Sequence, residues 1–360
     1  MPTTREFMTD WEPGKMTAMQ AWSQRSEASL RGTATGKRNT PKLRPFDMCV
    51  APHVPVLLLS NHDMRVSVMS AAGPAPFFRR NINFDEAFFQ FAGHSTLETE
   101  MGIYTLAAGE MLVIPRGISH RTTGDAAALA QIVHMRSPVV EVLTEDRCTS
   151  KTSFEVTRSG GPDYSTAAVA NPAGPAVLEK MYVWGEDPAD AVEVRRNVVD
   201  LVGVSSTQRD TIVSAIKKLR PFDLFNDISG RKGPGPRFLG TGHALMEVYN
   251  TIGEQFAFHR ALESEEFGLQ FMGACDNMSE FADTLPMAPG EWFLIPLGIA
   301  HSVKNCGTDF RRMVIYSKSP FTVHANPSMH RYESSFAVRE TVLEEAPWHA
   351  EARAAASSLG

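Results

Sequence analysis

Over most of its length the chain alternates short apolar segments with turn-forming residues. Val54-Pro55-Val56-Leu57-Leu58-Leu59 and Ala87-Phe88-Phe89-Gln90-Phe91 are representative. Gly and Pro interrupt such segments at intervals of about ten residues, a rhythm that predicts short strands in an all-β sandwich or barrel. Helical spacing is confined to a few places. Met16, Met19 and Trp22 suggest an N-terminal helix in an otherwise polar arm that packs on the next domain or subunit. Ala176–Val183 and Asp210–Lys218 read as helices, and a surface helix rich in Ala and Glu is expected from Glu333 onward. The stretch Arg231-Lys232-Gly233-Pro234-Gly235-Pro236-Arg237 must be a solvated loop.

The strand pattern occurs twice. Residues 109–120, Gly-Glu-Met-Leu-Val-Ile-Pro-Arg-Gly-Ile-Ser-His, return as residues 290–301, Gly-Glu-Trp-Phe-Leu-Ile-Pro-Leu-Gly-Ile-Ala-His. Glu86 with Gly93 returns as Glu266 with Gly273, and Lys42-Leu43-Arg44-Pro45-Phe46-Asp47 returns as Lys218-Leu219-Arg220-Pro221-Phe222-Asp223. Three segments in one order, at a nearly constant offset of about 180 residues, mean two copies of one fold. The expected organisation is an N-terminal arm over 1–40, a first barrel over 41–137, a connecting segment over 138–216, a second barrel over 217–332 and a C-terminal helix over 333–360. A chain of 360 residues accommodates two domains of ordinary size, each able to bury a core.

Composition narrows the function classes. Hydrophobic residues make up 43% and charged residues 21%, ordinary values for a globular protein. A net charge of −6, with no basic stripe carrying interleaved aromatics, argues against a nucleic-acid surface. No apolar run is long enough to span a membrane and no signal core opens the sequence. The four cysteines, Cys49, Cys148, Cys275 and Cys306, lack paired spacing and suggest reduced thiols in a cytoplasmic protein.

The chemistry concentrates in the second repeat. His259, Glu266 and His301 make a set of two histidines and one carboxylate. His259 is expected at the end of one strand and Glu266 on the next, and the Pro-x-Gly turn returns His301 to the same barrel mouth. Two imidazoles and a carboxylate bind a divalent first-row metal and leave positions open for substrate and dioxygen, as in non-haem Fe(II) oxygenases. Glu265 competes for the carboxylate role, because only one of two adjacent strand residues faces inward. Glu266 is preferred, since Glu86 keeps the same spacing to its glycine. In the first repeat Arg79 aligns with His259, Asn81 with Ala261 and His120 with His301. Arginine cannot ligate a cation, so the first site is expected to be metal-free.

These segments resemble a known superfamily. Gly-x5-Pro-x-Gly-x2-His preceded by His-x6-Glu-x6-Gly is similar to the two motifs of cupins, and two copies imply a bicupin. The implied fold is all-β, with two double-stranded β-helix (jelly-roll) barrels and peripheral helices. Gly93-His94-Ser95-Thr96-Leu97-Glu98-Thr99-Glu100-Met101-Gly102 followed by Gly109 to Gly117 resembles the metal-free half of homogentisate dioxygenases. His259-Arg260 with Ser264-Glu265-Glu266-Phe267 resembles that family's iron-binding segment. The size of the chain is closer to the large subunit of two-component hydroquinone dioxygenases.

The resemblance implies extradiol-type ring cleavage of a hydroquinone-type para-diol by dioxygen on Fe(II), although Mn, Ni or Zn would also accept these ligands. It implies a small aromatic substrate and a homo-oligomer, with a smaller cupin-like subunit as a further partner. His243, in Gly242-His243-Ala244-Leu245-Met246 on an expected strand, is the candidate acid/base, with a packed histidine as the plainer reading. His324 and His330 follow the barrel and reach either the site or the surface. Phe258, Phe267, Phe271 and Tyr249 are candidate pocket walls. The chain departs from the family in having Ala261 where an Asn would be a further ligand, and in its longer His-to-Glu spacing. The alternatives are another metal-dependent cupin enzyme (a decarboxylase, isomerase or different oxygenase) or a non-catalytic bicupin that binds a ligand.

Overall fold

The computed structural model describes residues 3–9, 21–26, 42–141, 176–197, 216–222, 237–250, 258–261, 264–280 and 282–325. The described residues are almost entirely β, in two seven-stranded and two six-stranded sheets. Helix among them is limited to the 3-10 turns Pro45–Met48 and Pro188–Asp190. One seven-stranded sheet of the first half contains Asp85–Ala92 and Leu129–Met135, and the six-stranded sheet facing it contains His94–Thr99 and Ser119–Gly124. The second half repeats this arrangement with Glu265–Met272 and Arg311–Ser317 in one sheet and Cys275–Ser279 and His301–Lys304 in the other. These are two β-barrels of matching topology in one chain, as the internal repeat requires.

Strand alternation divides each sheet into two faces. In the second half Phe267, Leu269 and Phe271 point away from the barrel interior and join Phe89, Phe222 and Trp292 in one core shared by both halves. Phe222 stacks on Phe271 at 4.9 Å, and Phe89 meets Phe271 edge-on at 5.4 Å. The opposite faces fill the barrels. The first interior is apolar, with Met69, Phe88, Leu97, Leu112, Ile114, Ala130 and Ile132 buried together.

The halves are wired reciprocally. Lys42–Leu43 pairs with Trp292 and Phe293 of the second barrel, while Lys217–Leu219 pairs with Met111–Val113 of the first. Hairpins follow the same rule. Ala176–Tyr182, backed by Val192–Asn197, runs parallel to Phe78–Asn81 of the first barrel. Thr3–Thr9, backed by Ala21–Ser26, runs parallel to Phe258–Ala261 of the second.

This wiring corrects the helices expected from sequence. Ala176–Tyr182 is a strand, and so is Ala21–Ser26, which carries Trp22. Lys217–Leu219, the end of the expected helix Asp210–Lys218, is also a strand. Propensity is a weak prior, and pairing with a distant strand overrides it. Met16, Met19 and the C-terminal helix over 333–360 lie outside the described residues.

Ion pairs to two buried carboxylates clamp the exchange. Glu110 accepts from Lys218 Nζ at 2.8 Å and Arg220 Nε at 2.7 Å, and Glu291 accepts from Arg44 Nε at 2.9 Å. Burial opposes ionisation of Glu110, yet Lys218, the Ala107 N–H and Arg220 hold its carboxyl below the ordinary value. A depressed folded pKa stabilises above the unfolded value, and the benefit disappears as pH falls through the folded one. Glu110→Gln should therefore lower unfolding stability by on the order of 1–2 kcal/mol at neutral pH. Urea denaturation across pH checks this: the difference from the parent must vanish in acid.

Candidate metal centre

His301 opens the strand His301–Lys304 after the Pro-x-Gly turn, and Gly298 adopts the left-handed φ of 78° which that turn requires. Its Nδ1 lies 3.0 Å from the Ile299 carbonyl oxygen. The carbonyl can only accept, so Nδ1 carries the proton and the Nε2 lone pair faces inward. Nε2 stands 2.8 Å from Glu266 Oε2, with both side chains buried. Two acceptors at this separation suit a positive centre between or beside them, and a metal ion bound by both would supply one. Adjacent ligands bonded at about 2.0–2.2 Å to a first-row metal stand about 3 Å apart, so the pair fits one edge of a coordination shell. His259, on Phe258–Ala261, lies directly opposite His301 in the strand register.

Of the two candidate carboxylates, Glu266 meets His301. Glu265 turns to the other face and accepts the Phe321 N–H at 2.7 Å. Among residues whose side chains are described, no three His, Cys, Asp or Glu groups are arranged as a metal site. The third member of the expected set, His259, is placed here by its backbone register alone.

The first barrel shows the same position filled by a protein cation. Arg79 pairs with His120 in the register in which His259 pairs with His301. Its Nε donates to His120 Nε2 at 2.8 Å and its Nη2 to Glu86 Oε1 at 2.6 Å. Asn81 donates to Glu86 at 3.0 Å, and His134 Nε2 lies 3.2 Å from the same carboxylate. Burial opposes the charge on Glu86, but Arg79 and His120 hold its carboxyl well below the ordinary value. His120 Nδ1 faces the Ile118 carbonyl at 3.1 Å, the tautomer deduced for His301. A guanidinium between this Glu and this His marks the spot as one that attracts a cation.

The exchanged hairpin braces the first site. In the first barrel Arg80 pairs with Glu179 of the hairpin at 2.7 Å and also with Glu100, whose carboxylate accepts the Ser119 N–H at 3.1 Å. In the second, register puts Arg260 at the place of Arg80 and Glu6 at that of Glu179. Glu280 accepts the Ala300 N–H at 2.9 Å, as Glu100 accepts that of Ser119.

Other expected site residues fall elsewhere. His243 lies in an exposed bend ahead of the strand Ala244–Asn250, not on the strand. Thr241 caps this bend through its Oγ1, so the strand begins one residue later. Phe267 and Phe271 cannot wall a pocket in the barrel, because an inward Glu266 sends both to the opposite face. His324 hydrogen-bonds Ser60 on the first barrel at 2.7 Å, and His330 lies outside the described residues.

Sequence reading missed Tyr316 beside Glu266, and the buried Glu247. Tyr316 neighbours Glu266 across the strand pair, and its hydroxyl lies 3.0 Å from that of Tyr249. Tyr249 donates to the buried Glu247 at 2.9 Å. Burial first, then the charges of Glu247 and Glu266, push the Tyr316 hydroxyl well above its ordinary value. It therefore remains a proton donor. The first barrel has His134, Met69 and Ser67 at the matching places, by register with Glu86 and with the strand Leu129–Met135. The first barrel thus keeps polar groups at two of these three places, and Met69 stands where the second has Tyr249.

No family model matches the sequence, and no curated protein aligns with it. Several solved structures are similar to the chain. A cupin 2 conserved barrel domain protein from Leptotrichia buccalis is 10% identical over 78% of this chain and 98% of that one, with a TM-score of 0.45. Protein Ylba from E. coli is 10% identical over 82% and 97%, with a TM-score of 0.41. An R92A mutant of Bacillus subtilis oxalate decarboxylase is 14% identical over 81% of each chain, with a TM-score of 0.42. Likenesses at these scores carry no argument about chemistry. Among the described residues no helix is long and apolar enough to cross a membrane.

Proposed function

We propose that the second barrel, within 217–332, is a metal-dependent enzyme centre in which His259, Glu266 and His301 hold one divalent ion. We further propose that this ion is Fe(II) and that the reaction is dioxygen-dependent ring cleavage of a hydroquinone-type aromatic. The observation that carries the reading is the buried His301 Nε2 to Glu266 Oε2 contact of 2.8 Å, at the position where Arg79 supplies a cation in the twin barrel. The substrate class rests on the sequence resemblance of the His259-Arg260 and Ser264-Glu265-Glu266-Phe267 segments. The first barrel, within 41–137, serves as a metal-free scaffold.

A bound Fe(II) supplies the Lewis-acid and redox chemistry that brings a phenol and dioxygen together. The protein supplies the rest. The Ile299 carbonyl fixes the His301 tautomer, and the Glu266 charge offsets the ion. Tyr316, kept protonated by burial, stands beside Glu266 with its one O–H directed at Tyr249, so toward the reacting phenol its oxygen accepts a hydrogen bond and takes up a proton as it passes its own along. Tyr249 and Glu247 extend the relay: Tyr249 donates its hydrogen bond to Glu247, which leaves its oxygen to accept from Tyr316. This tyrosine relay takes the acid/base role first given to His243. Tyr316→Phe should retain the metal and lose about 10²–10⁴-fold in kcat. Metal content and steady-state rates on one preparation test this; a Tyr316→Phe enzyme of normal kcat removes the relay from the mechanism.

The deciding experiment is anaerobic purification with elemental analysis, followed by oxygen uptake with hydroquinone, homogentisate and gentisate. The expected result is iron near one per chain, with uptake matched to a ring-opened product. Metal without uptake on any para-diol would sink the substrate assignment. Absence of metal after reconstitution would sink the centre itself. The proposed assembly is a homo-oligomer, with or without a smaller cupin-like subunit, and copurification with light scattering reports on it.

A further inference from the structure

The second barrel buries a further charge, distinct from His301 and Glu266. Arg312, on Arg311–Ser317, is 4% exposed. Its Nε donates to Gln270 Oε1 at 3.1 Å, and its Nη2 to Asn277 Oδ1 at 2.8 Å and Cys275 Sγ at 2.7 Å. The guanidinium lies over the Phe293 and Phe310 rings, at 4.6 and 5.3 Å. Two amide oxygens and two rings bring no formal negative charge. A buried cation without a counter-charge is costly, and Cys275 is the partner that can provide one by losing its proton.

A second thiol completes the cluster. Cys306 is buried in the same apolar group as Cys275 and lies within hydrogen-bonding reach of it. That hydrogen bond, with the Arg312 charge, lowers the Cys275 thiol to about 7 against the opposing effect of burial. Cys306 is pushed the other way by its bond to Cys275 and by burial, so it keeps its proton. Cys275 is flanked by exposed Ala274 and half-buried Asp276, at the rim of the barrel.

The twin barrel shows that the fold does not demand this arrangement. By strand register, Ser95 stands for Cys275, Leu97 for Asn277, Ala130 for Arg312 and Leu112 for Phe293. Gln90, the counterpart of Gln270, keeps its bond to a backbone carbonyl two residues on, but no cation faces it there. An apolar solution exists at these positions, and the second barrel holds a thiol, a guanidinium and a second thiol instead.

We propose that Cys275 and Cys306 form a peroxide-reactive dithiol, with Cys275 held as a thiolate by the buried Arg312 guanidinium. The Cys275 sulfur attacks one oxygen of a hydroperoxide and the O–O bond breaks. The sulfur becomes a sulfenic acid, and the departing oxygen leaves as water or an alcohol after taking a proton. Cys306 then gives up its proton and attacks the Cys275 sulfur, and the S–O bond breaks to release water. Two thiols and one hydrogen peroxide thus yield one disulfide and two waters. The site is independent of the metal centre, and its test does not use enzyme activity.

The full chain, reduced and desalted, is titrated with hydrogen peroxide and digested for peptide mass spectrometry. The expected result is a Cys275–Cys306 crosslink formed before Cys49 is oxidised. In Cys306→Ser the sulfenic acid on Cys275 should accumulate and be trapped by a cyclic dione. Arg312→Gln should slow loss of the Cys275 thiol at pH 7 by about tenfold or more. If that variant does not fold, the parent still decides: alkylation of Cys275 should titrate near 7 rather than near the ordinary value of about 8.5. Cys275 surviving a dose of peroxide that oxidises Cys49, or alkylating with an ordinary thiol profile, overturns the proposal.

Discussion

His301→Ala should reduce bound metal from about one per chain to under a tenth and lower turnover by about 10³-fold or more. The Nε2 lone pair that this histidine aims inward has no substitute on its strand, and the neighbouring Ser302 faces the other way. Glu266→Gln should give the same outcome with less disturbance, because the amide keeps the shape and removes the charge. Glu265→Gln is the control. Its carboxylate accepts the Phe321 N–H, which an amide oxygen also can, so metal content should stay at the parental level. Elemental analysis of the three variants decides between the carboxylates. Metal kept in Glu266→Gln and lost in Glu265→Gln would reverse the assignment.

Arg79→Met should cost about 3–5 kcal/mol of stability at neutral pH, the penalty for leaving a buried carboxylate without its cation. Glu86 is fully buried and held ionised by Arg79 first and His120 next, against desolvation. The sign of the pH effect follows. The parent gains from Glu86 above the unfolded carboxyl pKa and loses that gain in acid, whereas in Arg79→Met the carboxyl can take up a proton instead. The gap in stability between the two must therefore narrow as pH falls. Arg79→His carries the argument further. It places an imidazole opposite His120 and beside Glu86, the set proposed for the second barrel, with Asn81 and His134 close by. The variant should bind a second divalent ion per chain, and zinc at about 100 times its Kd should add about 2.7 kcal/mol of stability. Calorimetric unfolding with and without zinc measures this. If Arg79→His binds no more metal than the parent, the two positions are not chemically equivalent.

Much of this was legible in the sequence because the chain states it twice. The Gly-x5-Pro-x-Gly-x2-His segments fix a strand, a turn and a histidine by local rules, and the structure puts Arg79 and His259 in matching registers as the internal alignment requires. What failed depended on distant partners. Ala176–Tyr182 carries no clean two-residue alternation, since its neighbours are a parallel strand and a half-exposed hairpin partner, so its pattern suited a helix as well. Glu247, Tyr316 and Arg312 passed unnoticed because a polar residue on a strand reads as solvent-facing until the opposite face is known to be the shared core. In Ala244-Leu245-Met246-Glu247-Val248-Tyr249, once Ala244, Met246 and Val248 belong to that core, Glu247 and Tyr249 must face the barrel interior. His243 attracted attention as a histidine near a strand, although it occupies the bend that precedes it.

The reciprocal hairpins also bear on how such a molecule can change over time. Each barrel is roofed by a segment encoded ahead of the other, so no deletion removes one half without unroofing its twin. Selection on the chemistry of the second barrel therefore also maintains the outline of the first. The interior of the first escapes that pressure, and Phe88 and Leu112 there occupy what Gly268 and Phe293 shape differently in its twin. On the proposed reading, a barrel with arginine in place of a metal persists as a required half, preserved in its surfaces and strands and free to drift within.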